Sequence, residues 1–178
     1  MGIRMKKKDI VRIRSNIAGV LAVLWMIVIF IFSAQNKEES SVVSEGVSDQ
    51  IVSMTGWLFH LHIDAERIWE IARLVEYFVR KGAHMTEFAI LAILLYVWIG
   101  RWQLKRLYRY GIAVVLTILY ACSDEFHQLF VEGRAGLISD VIVDSVGAII
   151  GLAVFLLLQS YVLWRRRKRT DHNRKACA

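Results

Sequence analysis

Apolar residues fall in four blocks along this chain, Ile17 to Phe32, Ala83 to Ile99, Tyr110 to Cys122 and Val141 to Trp164. A bilayer core takes about 20 mostly apolar residues per helix, so the blocks predict four membrane-spanning helices. The first and third are short as pure apolar runs. The first extends by borrowing Asn16 and Ser33, whereas the third reaches Phe130 only by carrying Asp124 and Glu125 into the membrane. Between the first and second blocks, Val43, Val47, Ile51 and Met54 recur at helical spacing around Glu45, Ser48 and Asp49. That pattern predicts an amphipathic helix lying on the membrane face. Gly56 to His62 reads as an aromatic-rich break, with Trp57 as an interfacial anchor. Asp64 suits the N-cap of a second helix whose apolar stripe is Ile68, Ile71, Leu74, Val75 and Phe78. The pattern leaves open whether that helix runs straight into the second crossing or bends near Gly82. The expected fold is an all-α membrane protein. It has four transmembrane helices and one or two extracytoplasmic amphipathic helices between the first and second.

Composition agrees with a membrane solvent. Of 178 residues 56% are hydrophobic and none is Pro. A soluble domain of this length would be less apolar, and no Pro forces a kink. The formal charge of +7 is unevenly spread. Arg4, Lys6, Lys7, Lys8, Arg12 and Arg14 precede the first block. Arg101, Lys105, Arg106 and Arg109 stand before the third, and Arg165 to Arg169 follow the fourth. The stretch from Gln35 to Ala72 is acidic instead. Lys and Arg mark the cytoplasmic side. Both termini and the middle loop are therefore expected inside, with the acidic segment and the Val131 to Ser139 loop outside. The domain division follows: 1–15 a basic cytoplasmic end, 16–164 the membrane domain with its external helical segment 36–79, and 165–178 a basic cytoplasmic tail.

The basic excess anchors topology and attracts anionic membrane lipid at about 1 kcal/mol per charge. No nucleic-acid motif accompanies it, and no nucleic-acid partner is expected. The first block follows a basic leader, as a signal peptide does. Its apolar run is longer than a signal core, however, and Phe32 stands where a cleavage site ending at Ala34 wants a small residue. It reads as an uncleaved anchor. Cys122 lies in an apolar block and reads as a small buried side chain, and Cys177 lies in the basic tail, so the two do not form a disulfide framework.

Three polar strings sit at the mouths of the apolar blocks. They are Arg80-Lys81-Gly82-Ala83-His84-Met85-Thr86-Glu87, Asp124-Glu125-Phe126-His127-Gln128, and Gly133-Arg134 followed by Ser139-Asp140 and Asp144. On the topology above all three open on the outer side. A charge near a membrane-spanning segment is costly and usually pairs, faces a polar interior or acts. His84 and Glu87 share a helix face, with Arg80 a turn earlier. Glu125 shares a face with Gln128, and Asp124 with His127. Ser139 can cap a helix whose first turn holds Asp140, and Asp144 lies one turn deeper. Gly147 and Gly151 form a small-xxx-small pair suited to close helix packing. Arg134 offers a fork of donors to carboxylate or phosphate.

The candidate ligand-binding set is Lys81, His84, Glu87, Asp124, Glu125, Gln128, Arg134, Asp140 and Asp144. His84, Glu125 and Asp140 are the candidates for acid–base chemistry, should there be any. There is no H-E-x-x-H, no Cys-pair signature and no Gly-x-Ser-x-Gly turn, so neither metal nor cofactor is expected. The rival reading of the cluster is polar glue between helices. Such contacts average well under 1 kcal/mol each, and packing alone hardly calls for this many ionisable groups on one side.

The strings resemble the VanZ-like integral membrane proteins of bacteria. The resemblance rests on FSAQ at Phe32 to Gln35, RKGAHMTEFAILA from Arg80, and SDEFHQLFVEGRAGLISDVIVDSVGAIIG from Ser123, in that order and spacing. It implies a small multi-pass protein of the bacterial cytoplasmic membrane. For the founding member it implies an association with low-level resistance to the glycopeptide teicoplanin. The family pattern carries over to Lys81, His84, Glu87, Asp124, Glu125, Gln128, Gly133, Arg134 and Asp140. It leaves the position of His127 free, and it expects Asn where this chain has Asp144. Three functional classes follow. The first is an envelope factor binding a lipid-linked phosphate, a wall precursor or a wall-targeting antibiotic. The second is a membrane enzyme acting on a phosphorylated lipid, and the third an adaptor recruiting a partner through its external helices. Oligomeric state is not legible.

Overall fold

The computed structural model describes residues 7–34, 50, 54, 65–132, 134 and 136–176. Among these the chain forms four long helices: α1 (Lys7–Ser33), α2 (Ala65–Ile99), α3 (Arg106–Gln128) and α4 (Ile138–Ala176). A short 3₁₀ turn, Gly100–Trp102, joins α2 to α3. No strand occurs among the described residues. Three helices are long and apolar enough to cross a membrane, over Lys8–Ser33, Leu74–Trp102 and Ile138–Thr170. Only 22%, 33% and 28% of their apolar windows are buried inside the bundle, so most of their apolar surface needs lipid around it. The protein is a membrane protein, all-helical among the described residues.

The open question at Gly82 has a plain answer. Ala65–Ile99 is one continuous helix. Its 35 residues span roughly 50 Å, more than a bilayer core, so the helix projects beyond the hydrocarbon. The amphipathic helix expected around Val43, Val47 and Ile51, the Trp57 anchor and the Asp64 cap lie outside the described residues. α4 runs on through the basic tail to Ala176. Cys122 is exposed on α3 rather than buried, since the faces of that helix used for packing carry Ala121, Asp124, Glu125 and Gln128.

α2 is the hub and packs against each of the other three helices. Its buried side chains, Phe88, Leu91, Ala92, Leu95, Tyr96 and Ile99, follow a helical seam. Against them lie Ala22 and Ile29 of α1, Ala113 and Ala121 of α3, and Ala148 and Leu152 of α4. The closest approach is between α2 and α4, which run parallel. A Cβ on Gly147 would stand 2.5 Å from the Met85 carbonyl oxygen, and one on Gly151 would collide with the Ala89 Cβ. Lipid provides no hydrophobic force between helices, so this backbone-to-backbone contact is where van der Waals packing gains most.

The α2–α3 end of the bundle is tied by donors on backbone carbonyls. Tyr96 and Val97 lie in the last turn of α2, where carbonyls run short of helical partners. Arg109 Nη2 donates to Tyr96 O at 2.9 Å, and Ser15 Oγ donates to Val97 O at 3.1 Å. Arg109 also lies over the Tyr96 ring, 4.2 Å from its centre. Arg106 Nη2 donates to Leu156 O and Ser160 Oγ on α4, at 2.9 and 3.0 Å.

Gly147→Ala should lower the thermal midpoint in detergent, at a cost of about 1–3 kcal/mol, because the Met85 backbone must move to admit the methyl group. Gly82→Ala, which meets nothing within 4 Å, should leave the midpoint unchanged or raise it slightly. Circular dichroism melts of the two variants check this, and equal effects would contradict the packing described.

Candidate functional site

α1 and α3 run antiparallel to α2 and α4, so the three polar strings arrive at one end of the bundle. The second string closes α3, the third opens α4, and the first sits on α2 at the same level. Lys81 Nζ makes an ion pair with Asp140 Oδ1, joining α2 to α4. Ser139 Oγ donates to the same carboxylate oxygen at 3.2 Å. Ser139 does not cap the helix, because α4 already begins at Ile138. The start of α4 is instead held from another helix, where Glu125 Oε2 of α3 accepts from the Leu137 N–H at 2.9 Å. Gly136 makes this possible, since a Cβ there would run into the Glu125 carbonyl oxygen.

A second connection reaches α1. Gln128 Nε2 donates to Ser33 Oγ at 2.9 Å and to Asp124 Oδ2 at 3.2 Å. Ser33, Asp124, Glu125 and Gln128 are all buried. In the sequence Ser33 reads as a flank of the first block and as part of one short string of the family resemblance. Its signal was the Phe32-Ser33-Ala34-Gln35 string, too short to assign a role. Trp25 Nε1 of α1 donates to the Glu87 backbone oxygen at 2.9 Å, and Tyr120 Oη of α3 donates to Met26 O at 2.6 Å. Neither residue was singled out, because each reads as an ordinary aromatic in an apolar block.

His84 Nδ1 and Glu87 Oε2 lie 3.7 Å apart on α2, both half-buried. Arg134, in the loop before α4, lies within electrostatic reach of Arg80, Asp124 and Glu125, and also of His84. Burial and the neighbouring Arg80 push its guanidinium down from its ordinary value. Asp144 is 2% exposed and lies within reach of Glu125, Asp124 and Asp140. Its Oδ1, Asp124 Oδ1 and His84 Nδ1 have no hydrogen-bond partner among the described residues. His127 packs its ring against Phe30 of α1, with centroids 4.3 Å apart.

Lys81, His84, Glu87, Asp124, Glu125, Gln128, Arg134, Asp140 and Asp144 are therefore brought to one region by α2, α3, α4 and one loop. Chemically the region offers cations for an anionic group, carboxylates for donors, and an imidazole beside a carboxylate. Among the described residues, no three His, Cys, Asp or Glu side chains are placed to hold one metal ion.

The ion pair between α2 and α4 is partly exposed, so its worth is modest. Lys81→Met and Asp140→Asn should each lower the thermal midpoint, and the double variant should lose less than their sum. A coupling on the order of 1 kcal/mol is expected from a double-mutant cycle. Strictly additive losses would mean that the pair is not formed.

No curated protein and no solved structure matches the chain significantly. The VanZ/LLP1 family model matches residues 18–159, a stretch that holds the whole of α2 and α3 and every residue of the polar region just described. With most of its length matched, the chain belongs to the VanZ/LLP1 family.

Proposed function

We propose that the protein crosses the bacterial cytoplasmic membrane four times with both termini inside, and that the region around Lys81, Arg134 and Asp140 is an outward-facing ligand site. α3 supports the fourth crossing. Its 23 residues span roughly 35 Å, enough for a bilayer core. Thr117, Asp124, Glu125 and Gln128, polar groups along its length, are covered by protein. The orientation rests on Arg101, Arg106, Arg109 and the basic α4 end lying opposite the carboxylates, since Lys and Arg mark the cytoplasmic side.

The observation that carries the ligand reading is the meeting of Arg80, Lys81 and Arg134 with carboxylates from three helices at one end of the bundle. An envelope lipid phosphate or pyrophosphate would place its headgroup on Arg134 and Lys81, with its chain along the apolar faces of α2 and α4. Glu87, Glu125 and Asp140 would hold the cations or accept from amine and hydroxyl groups of the ligand. Through such binding the protein would alter access of a glycopeptide to its wall target, with teicoplanin as the antibiotic that family resemblance suggests. A second reading is a membrane enzyme acting on a phosphorylated lipid. It draws on His84, Glu125 and Asp140 as acid and base beside Arg134, with Glu87 3.7 Å from His84 Nδ1.

In cells carrying Cys122→Ser and Cys177→Ser, Glu132→Cys should react with a membrane-impermeant thiol reagent. Lys105→Cys should react only after permeabilisation, and the reverse pattern would overturn the orientation. Loss of the protein should raise teicoplanin susceptibility more than vancomycin susceptibility. Arg134→Ala, His84→Ala and Glu125→Gln should fail to restore it while reaching normal abundance. Glu125→Gln keeps an acceptor for the Leu137 N–H, so it tests charge rather than the loop. Loss of function in proportion to abundance would indicate polar packing alone. In detergent, a polyprenyl pyrophosphate at 100 times its Kd should stabilise the protein by about 2.7 kcal/mol. Arg134→Ala should remove most of that and Lys105→Ala little. Release of phosphate from the same lipid would favour the enzyme.

A further inference from the structure

At the end of the bundle opposite the carboxylates, two cavities meet at one arginine. The first, about 780 Å³, is a groove between α1, α2 and α3 walled by Val20, Val23, Leu24, Leu91, Leu95 and Leu116. The second, about 840 Å³, is lined by Lys8, Asp9, Arg12, Arg101, Trp102 and Gln103 among others. Arg101 lines both. A cationic cavity, the mouth, and an apolar groove, the slot, therefore adjoin at Arg101.

The local sequence builds this shape. Trp98 lies against Gly19 of α1, where a Cβ would come within 2.5 Å of the indole. Trp98 meets Trp102 edge-on, with ring centres 5.1 Å apart, and the Arg101 guanidinium lies 5.3 Å from the Trp102 ring centre. This run of contacts holds Arg101 beside the mouth. Depth follows from the two helices that form it, since the spans Lys8–Ser33 and Leu74–Trp102 both reach their limits here. The mouth thus lies at the boundary between hydrocarbon and headgroups, the level that Trp prefers.

We propose that this is a site for one molecule of anionic phospholipid from the leaflet at the basic end. Its phosphate lies among Lys8, Arg12 and Arg101, and one acyl chain lies in the slot. Charge and shape select this occupant. Three cations against one acid at the mouth suit an anion rather than a zwitterion. A soluble anion has no use for the apolar slot, and the basic tail of a second copy would be repelled by the same cations. The slot volume is that of a small-molecule site, in the range of about 300–1,000 Å³. The site lies at the other end of the bundle from the proposed outward-facing region and does not depend on that reading.

Native mass spectrometry of the full-length protein tests it, with dioleoyl phosphatidylglycerol and dioleoyl phosphatidylcholine offered separately in mixed micelles. One phosphatidylglycerol per chain should be retained, with about tenfold preference over phosphatidylcholine. Arg12→Glu combined with Arg101→Glu should abolish the preference. Arg166→Glu with Arg167→Glu, the same charge change on the exposed end of α4, should preserve it. Val23→Trp fills the slot from an exposed position on α1 and should reduce retention of both lipids. A phosphatidylglycerol carrying a diazirine in mid-chain should label peptides containing Leu91, Leu95 or Leu116 in the native sequence. Absence of headgroup preference, equal loss from both charge pairs, or labelling confined to other helices would overturn the proposal.

Discussion

The contact of Gly147 and Gly151 with Met85 and Ala89 governs how the rest of the bundle is arranged. Both pairs are four residues apart on parallel helices, so one backbone rides on the other over a full turn. In lipid this packing is a principal source of helix association, because apolar side chains gain little by leaving hydrocarbon. The close approach also sets what happens beyond it. One turn before Met85 on α2 is Lys81, and one and two turns before Gly147 on α4 are Asp144 and Asp140. Fixing the glycines fixes the reach between Lys81 and Asp140, and it presses Asp144 into the interior. A larger residue at either glycine would therefore disturb polar geometry well away from itself.

The two ends of the bundle meet the same backbone requirement with opposite charges. At the end of α2, spare carbonyls take donors from Arg109 and Ser15, and Arg106 reaches across to α4. At the start of α4, the spare N–H of Leu137 takes a carboxylate oxygen from Glu125. Cations at a helix C-terminus and acids at an N-terminus also suit the helix dipoles. Some ionisable residues in each cluster thus have structural work. Arg109 and Glu125 hold helix ends, and Arg106 ties α3 to the middle of α4.

Much of this arrangement was legible beforehand. Blocks of apolar residues long enough for a bilayer announce helices, and the glycine pair announces a close crossing. The placement of the three strings at one end follows from alternating helix direction alone. Other features were not legible. Whether α2 bends at Gly82 depends on a local balance, since glycine weakens a helix by only about 1 kcal/mol. Cys122 sits within an apolar run whose outward direction is set by which face the carboxylates need, and composition does not carry that. Ser33 belongs to the polar network through Gln128, 95 residues away, and no local pattern reports such a partner. Asp140 was legible as a first-turn acid, but its pairing with Lys81 depended on the register of two helices.

Charge balance limits what the proposed site can accept. Five carboxylates, Glu87, Asp124, Glu125, Asp140 and Asp144, gather around the cations Arg80, Lys81 and Arg134. One acid is matched directly by Lys81, and Glu125 already accepts from a backbone N–H. Asp124 and Asp144 remain buried, each with one oxygen lacking a partner among the described residues. An anion without donors would leave those oxygens as they are. A ligand that also brings hydroxyl or amine donors would serve both sets, because buried acceptors gain most from donors when water is excluded. A phosphate bonded to a sugar or amino group has that composition. The Asp at 144 sharpens the requirement, since the Asn that the family pattern expects there could have supplied donors of its own.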